Sequence, residues 1–147
     1  MIAVVQRSSR GEVRVAGETV GRLLGRGGLT VLLGVEVGDG AAHAEKMADK
    51  ISKLRVFEDE AGKMNLSVAD AGGSVLVVSQ FTLAGDASGG NRPSFTNAAR
   101  PEAAEPLVDA VVARIRSNGL HAETGRFRTE MEVELVNAGP VTIILRT

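Results

Sequence analysis

Ser74-Val75-Leu76-Val77-Val78-Ser79-Gln80-Phe81-Thr82-Leu83 is an apolar run that ends in polar groups. Between Gly72-Gly73 and Gly85, its unbroken Val/Leu stretch reads as a strand covered on both faces, hence central in its sheet. The far end presents Ser79, Gln80 and Thr82, where a strand anchored in the core meets solvent and loops. Side chains so placed either satisfy nearby backbone or hold a ligand, and this stretch alone leaves both readings open.

The 147 residues suit one core, so 1–147 is expected to be a single domain. With 44% apolar and 24% charged residues the composition is that of a globular protein, and no apolar stretch approaches the ~20 residues of a membrane span. Met1-Ile2-Ala3-Val4-Val5 is interrupted at once by Gln6-Arg7, unlike a signal peptide, so the expected compartment is the cytoplasm. The absence of cysteine excludes disulfides, iron–sulfur clusters and thiolate zinc sites. Four phenylalanines without Trp or Tyr argue against a multi-base stacking platform, and a net charge of −1 argues against coating DNA or long RNA. Gripping one RNA end remains compatible with that charge. Thirteen of the 17 basic residues are arginines, whose planar fork suits phosphate, although genomic base composition produces the same preference.

In order, strands are expected at residues 2–8, 12–16 and 18–24, with Gly25-Arg26-Gly27-Gly28 as a hairpin turn into a buried strand over Leu29–Val35. The glycine cluster fits neither the dinucleotide nor the P-loop spacing. Asp39 is the expected cap of a helix to about Leu54, with Ala44, Met47, Ala48, Ile51 and Leu54 on its buried stripe. His43 is placed near its first turn, in solvent. A short strand at Arg55–Glu58 and a turn at Asp59–Gly62 precede the central strand, and Ala84–Asn91 follows it as a loop. A second helix starts near Pro101 and stops at Asn118-Gly119, burying Leu107, Val108, Val111, Val112 and Ile115. Strands at His121–Phe127, Met131–Val136 and Val141–Leu145 complete an α+β fold with a mixed β-sheet and two covering helices. Asn137-Ala138-Gly139-Pro140 marks a turn or strand-initial position, because Pro140 offers no amide proton and Gly139 reaches backbone angles closed to other residues. Frequency alone favours a trans Gly139-Pro140 bond.

His43 and His121 lie on different elements, far in sequence from Ser79, so no Ser-His-Asp arrangement is visible, and the Gly-x-Ser-x-Gly elbow is missing. No His-x-x-x-His pair or carboxylate cluster has ligand spacing, so no metal or cofactor is expected. A hydrolase of this composition would have to work by positioning and oriented backbone amides, each worth roughly 3–4 kcal/mol near a developing oxyanion.

Ser79-Gln80-Phe81-Thr82-Leu83 and Asn137-Ala138-Gly139-Pro140-Val141-Thr142 resemble the two signature motifs of the D-aminoacyl-tRNA deacylase family. Ala3–Arg7, Leu54–Asp59, Gly62–Leu66, Arg92-Pro93-Ser94-Phe95 and Glu123-Thr124-Gly125 agree in order, so the likeness runs through the whole chain. The resemblance implies that family's barrel-like sheet with two helices and hydrolysis of the ester joining a D-amino acid, or glycine, to the terminal ribose of tRNA. Ser79, Gln80 and Phe81 would hold the aminoacyl-adenosine end, with amides near Phe81 and Thr82 facing the ester carbonyl. Thr82 is a candidate nucleophile by resemblance, but no adjacent base activates it, so a positional role is preferred. Leu83, Pro93, Ser94, Phe95, Phe127 and Met131 would complete substrate binding. Gly139 and Pro140 would form a cis dipeptide inserted into the partner's pocket of a homodimer, rejecting L-amino acids by exclusion.

Two departures stand out. Ala84–Asn91 has no Lys or Arg where relatives carry basic residues, and Phe127-Arg128-Thr129-Glu130-Met131 replaces a smaller Phe-Gly-Ala-x-Met pattern. Arg126 or Arg128 is therefore a candidate for the phosphate contacts that the loop lacks. The alternative is a non-catalytic dimer that binds an RNA end or nucleotide and retains the fold.

Overall fold

The computed structural model describes residues 1–147. Its elements are β1 (Ile2–Val15), β2 (Glu18–Arg22), β3 (Gly28–Gly34), α1 (Ala41–Lys53), β4 (Phe57–Glu58), β5 (Met64–Leu66), β6 (Ser74–Ser79), α2 (Pro101–Ser117), β7 (Ala122–Thr124) and β8 (Glu132–Arg146). A single 3₁₀ turn, Phe81–Ala84, follows β6. The result is the expected α+β domain: one mixed sheet, two helices and a small β4–β5 hairpin.

β6 is central as its composition requires, with β3 and β7 paired parallel on its two edges. Its residues alternate between two apolar clusters. Val75 and Val77 join the large cluster that takes in Met47 and Ile51 of α1 and Val111 and Ile115 of α2. Leu76 and Val78 meet Val13 on the opposite face, with Leu23, Leu32, Met131 and Val133 packed around them. Each such side chain stabilises the fold by about 1.5–3 kcal/mol on burial, and both faces need apolar residues, so the run cannot alternate.

β1 is one strand where two were expected. β8 pairs with it antiparallel over nearly its full length, supplying ladder partners to the polar middle around Ser9 and Arg10 that local pattern does not reveal. Along its other edge β1 pairs first with β3, through residues 2–8, and then with β2, through 12–15. Gly25–Gly28 is therefore not a hairpin turn: it joins two segments that follow one another along the same edge of β1. Two further boundaries move. Asp39 does not cap α1, whose N-cap is Gly40, because its carboxylate accepts the Met1 ammonium at 2.7 Å and the Glu36 amide at 2.7 Å. His43 is half-buried, not free in solvent, its Nδ1 accepting the Gly40 amide at 3.1 Å. The expected Arg55–Glu58 strand shortens to β4, and His121–Phe127 to β7, after which the chain turns.

β2 curls onto β7 and brings the sheet close to a barrel. At the seam the Arg22 amide donates to Glu123 Oε2 at 2.8 Å. A Cβ on Gly21 would lie 2.3 Å from the Thr124 carbonyl oxygen, so only glycine permits this approach. Both helices lie across the large cluster. Arg114 of α2 forks onto Asp49 of α1 at 2.9 and 3.2 Å, and Asn118 adds bonds to Asp49 and Ser52.

The Arg114 guanidinium, then the Asn118 amide, hold the Asp49 carboxyl at about 2, below its ordinary 3.8. With a depressed folded-state value, this clamp is complete above the ordinary carboxylate range and is lost as pH falls through about 2. A carboxyl-detected NMR titration should place Asp49 there, and Arg114→Ala should return it toward the ordinary value.

Candidate active site

The parallel strands β3 and β6 point their C-terminal ends the same way, and the chain leaves each of them toward a helix that packs back over the sheet. A cavity of about 630 Å³ opens at that end. Leu33, Val35 and Val78 come to it from the strands; Pro101, Ala104 and Val108 from one face of α2; Phe127, Met131 and Val133 from the stretch before and within β8. Ser79, Gln80 and Phe81 line it where β6 ends. The expected strand to Leu83 thus stops at Ser79, and the motif divides between a strand end and a 3₁₀ turn.

That division matters chemically. The turn opens at Phe81 and Thr82, positions whose amides have no acceptor within the turn itself. The Gln80 side-chain amide donates to the Thr82 hydroxyl oxygen, and the Gln80 backbone amide is anchored on the Leu33 carbonyl at 2.8 Å. No Asp, Glu, His or Lys lines the cavity; Arg128 is its one charged lining residue. Pro101, the first residue of α2, is part of the wall, so the electropositive end of a 17-residue helix faces the same space. The site is built to receive negative charge, not to remove a proton. Both histidines are engaged elsewhere, His43 with Gly40 and His121 with Glu123.

Five of the twelve expected site residues line the cavity: Ser79, Gln80, Phe81, Phe127 and Met131. Three others adjoin them. Thr82 is tied to Gln80, Phe95 packs edge-on against Phe81 with ring centroids 5.2 Å apart, and Leu83 abuts Gly34 at the end of β3. Pro93 and Ser94 are exposed in the following loop, where Ser94 and Asp86 exchange two backbone bonds of 2.8 and 2.7 Å. Lining residues not expected at the site from sequence are Leu33, Val35, Val78, Ala99, Val133 and the α2 face. Positions 101, 104 and 108 share one side of a helix, a spacing that could have revealed them.

Gly139 and Pro140 do not line this cavity, and both are exposed. They lie within β8, not at a turn between two strands: from Gln6↔Thr142 to Ser8↔Asn137, β1 advances two residues while β8 advances five. The surplus is a bulge, and the Gly139-Pro140 bond in it is cis. Gly139 has φ +120, and a Cβ there would meet Arg7 Nη2 and Val141 Cγ2 at 2.8 Å. Side chains hold the bulge from beneath. Arg7 Nε donates to the Ala138 carbonyl at 3.1 Å and Nη1 to the Val56 carbonyl at 2.8 Å, with Glu58 3.6 Å from Nη2. Asn137 Oδ1 accepts the Val141 amide at 3.2 Å, and Asn137 Nδ2 donates to Thr142 Oγ1 at 2.9 Å.

Arg7→Ala removes two donors from backbone carbonyls beneath the bulge. It should cost about 1–3 kcal/mol in urea unfolding and speed hydrogen exchange at the Val141 amide more than at the β1–β3 ladder.

A family model described as D-Tyr-tRNA(Tyr) deacylase matches residues 4–146. The D-aminoacyl-tRNA deacylase of Anaeromyxobacter dehalogenans is 63% identical, the alignment covering 99% of this chain and 96% of that one. The enzyme of the same name from Symbiobacterium thermophilum is 60% identical over 97% and 93% of the two chains. Among solved structures, a c-Myc DNA unwinding element binding protein superposes with a TM-score of 0.92 at 42% identity, covering 100% of this chain and 99% of its own. A probable eukaryotic D-amino acid tRNA deacylase shares the fold, with a TM-score of 0.81 at 14% identity over 99% and 98% of the chains. With a full-length family match, close relatives of the same length and a shared fold, the chain belongs to the D-Tyr-tRNA(Tyr) deacylase family of hydrolytic enzymes.

Proposed function

We propose that this protein hydrolyses the ester between a D-amino acid, or glycine, and the terminal ribose of tRNA, releasing amino acid and free tRNA. One observation carries the reading: Ser79, Gln80 and Phe81 meet at a cavity with no acid–base residue in its lining, beside the turn amides and the start of α2. An aminoacyl ester is already activated and has a neighbouring ribose hydroxyl, so it needs no strong base from the protein. It gains most from donors aimed at the carbonyl oxygen as charge develops there. Water adds to the ester carbon, the bond to the ribose oxygen breaks, and that oxygen leaves with a proton. Thr82 has a positional role: its oxygen accepts from Gln80 and no base stands in the cavity to take its proton. Phe81 and Phe95 offer exposed ring surface beside the terminal base.

Enantiomer selection is assigned to Gly139 and Pro140 of a second copy. The bulge projects to solvent on its own subunit and is absent from its own cavity, which suits insertion into the cavity of a partner in a symmetric homodimer. A backbone wall would then exclude an L side chain whatever its identity. The reaction belongs to translation in the cytoplasm, and no helix of the chain is long and apolar enough to cross a membrane.

Purified protein should release D-amino acid and glycine from charged tRNA while sparing the L-ester, and Gln80→Ala should slow release by at least about tenfold. Persistence of the D-ester with well-folded protein would leave the binding-only reading. The composite site has its own test. Gln80→Ala, and Gly139→Ala, whose Cβ would meet Arg7 Nη2 and Val141 Cγ2 at 2.8 Å and displace the bulge, should each retain at most about a tenth of the wild-type rate, yet co-refolded together they should recover roughly one quarter of it, because half the dimers then hold one intact site. No recovery would place both residues in the same subunit's site.

A further inference from the structure

Arg128 is the one charged residue that lines the cavity, and its backbone lies in the left-handed region, with φ +57. Among non-glycine residues only Ala16 shares a positive φ. An L-residue is strained there, so the fold tolerates strain where glycine would remove it. The turn that carries it is otherwise well anchored. The Gly125 amide donates to the Val77 carbonyl at 3.1 Å, the Thr129 hydroxyl to the Arg126 carbonyl at 2.9 Å, and Phe127 packs against the large apolar cluster.

The guanidinium is also without a counter-ion. The ion pairs of this protein occupy Arg7, Arg10, Arg14 and Arg114, and Arg128 is in none of them. Around the mouth, exposed Arg100 and Arg126 adjoin lining residues, as do the exposed carboxylates Glu102 and Glu130, so Arg128 is the one charge that the cavity wall itself carries. Residues 84–91 of the neighbouring loop have no Lys or Arg, and the Ser88 amide holds the Asp86 carboxyl below the usual carboxylate range, so that stretch is anionic. The loop's own guanidinium, Arg92, follows it and does not line the cavity.

We propose that Arg128 is a phosphate clamp at the cavity mouth, gripping a backbone phosphodiester next to the terminal nucleoside of the RNA end that enters. This rests on the reading of the cavity as a site for aminoacylated tRNA, and it makes Arg128 a determinant of RNA affinity, not of the ester chemistry. A guanidinium carried on an anchored turn at the cavity mouth can give two directed bonds to one phosphate. The strain is maintained because glycine, which would relax the turn, carries no charge.

The test measures binding of an uncharged RNA minihelix ending in an unpaired CCA to wild type, Arg128→Gly and Arg128→Lys across a salt series. Arg128→Gly should weaken binding roughly tenfold and flatten the slope of log K against log salt by about 0.7, the release expected for one single-strand phosphate. Arg128→Lys should restore most of the slope with less affinity. In thermal melts Arg128→Gly should be at least as stable as wild type, separating a lost contact from a damaged fold. Unchanged affinity and slope in a folded Arg128→Gly variant would overturn the clamp. Because binding requires no turnover, the outcomes are separable: hydrolysis of D-esters with an unchanged slope removes the clamp alone, and a flattened slope without D-ester hydrolysis removes the catalytic reading alone.

Discussion

Parallel pairing of β6 on both edges, with an apolar cluster on each face, is the constraint from which the site follows. A slip of one residue would send Leu76 and Val78 toward the helices and Val75 and Val77 toward Val13, exchanging two cores of different shape. The register of this strand is therefore among the most firmly specified features of the molecule. Its last residue, Ser79, inherits that precision. Gln80 and the turn that starts at Phe81 extend from an anchored end, and the Leu33 carbonyl ties the join to the neighbouring strand. Groups that must be positioned to a fraction of an ångström are best built on such an element.

The electrostatics of the cavity are one-sided. Amides at the start of a turn, the N-terminal end of α2 and a free guanidinium face a space with mostly apolar walls that no carboxylate or imidazole lines, Glu102 in the first turn of α2 standing outside it. In such surroundings a dipole is screened less than in water and acts more strongly on charge that develops nearby. The arrangement suits a substrate that brings its own reactivity and an anionic backbone. It also accounts for a protein of net charge −1 having a role toward RNA: what counts is the field at one mouth, not the charge of the whole surface.

A second rigid feature is set against the first from another direction. β8 is an edge strand paired only with β1, and its surplus residues bulge outward where Arg7 supports them. Arg7 connects three parts of the chain, β1, the segment entering β4, and the bulge, through two carbonyls and a carboxylate. An exposed backbone loop held this closely is suited to acting as a wall, since it has little freedom to move aside for a side chain. Its display away from its own cavity is the observation behind the proposed composite site.

Much was legible before any coordinates. The Val/Leu run and the helix stripes ending at Asn118-Gly119 are read from local pattern, because periodicity and turn chemistry act within a few residues, whereas Ser79, Gln80 and Phe81 are singled out by the resemblance of their motif to the family's. Local pattern failed wherever a distant partner decided the outcome. Ser9-Arg10 looks like a break until β8 supplies hydrogen bonds. Gly25–Gly28 looks like a hairpin until β2 and β3 share one edge of β1, and Asp39 looks like a cap until the Met1 ammonium claims it. The Asn137–Pro140 turn became a bulge for the same reason. The sequence by itself thus determined the apolar strand and the two helices and, through its motifs, named the candidate site residues. Only the tertiary structure decided that Phe127, Arg128 and the first turns of α2 share a cavity with Ser79, since hydrogen-bond pairing and burial across the sheet are long-range terms that no local window contains.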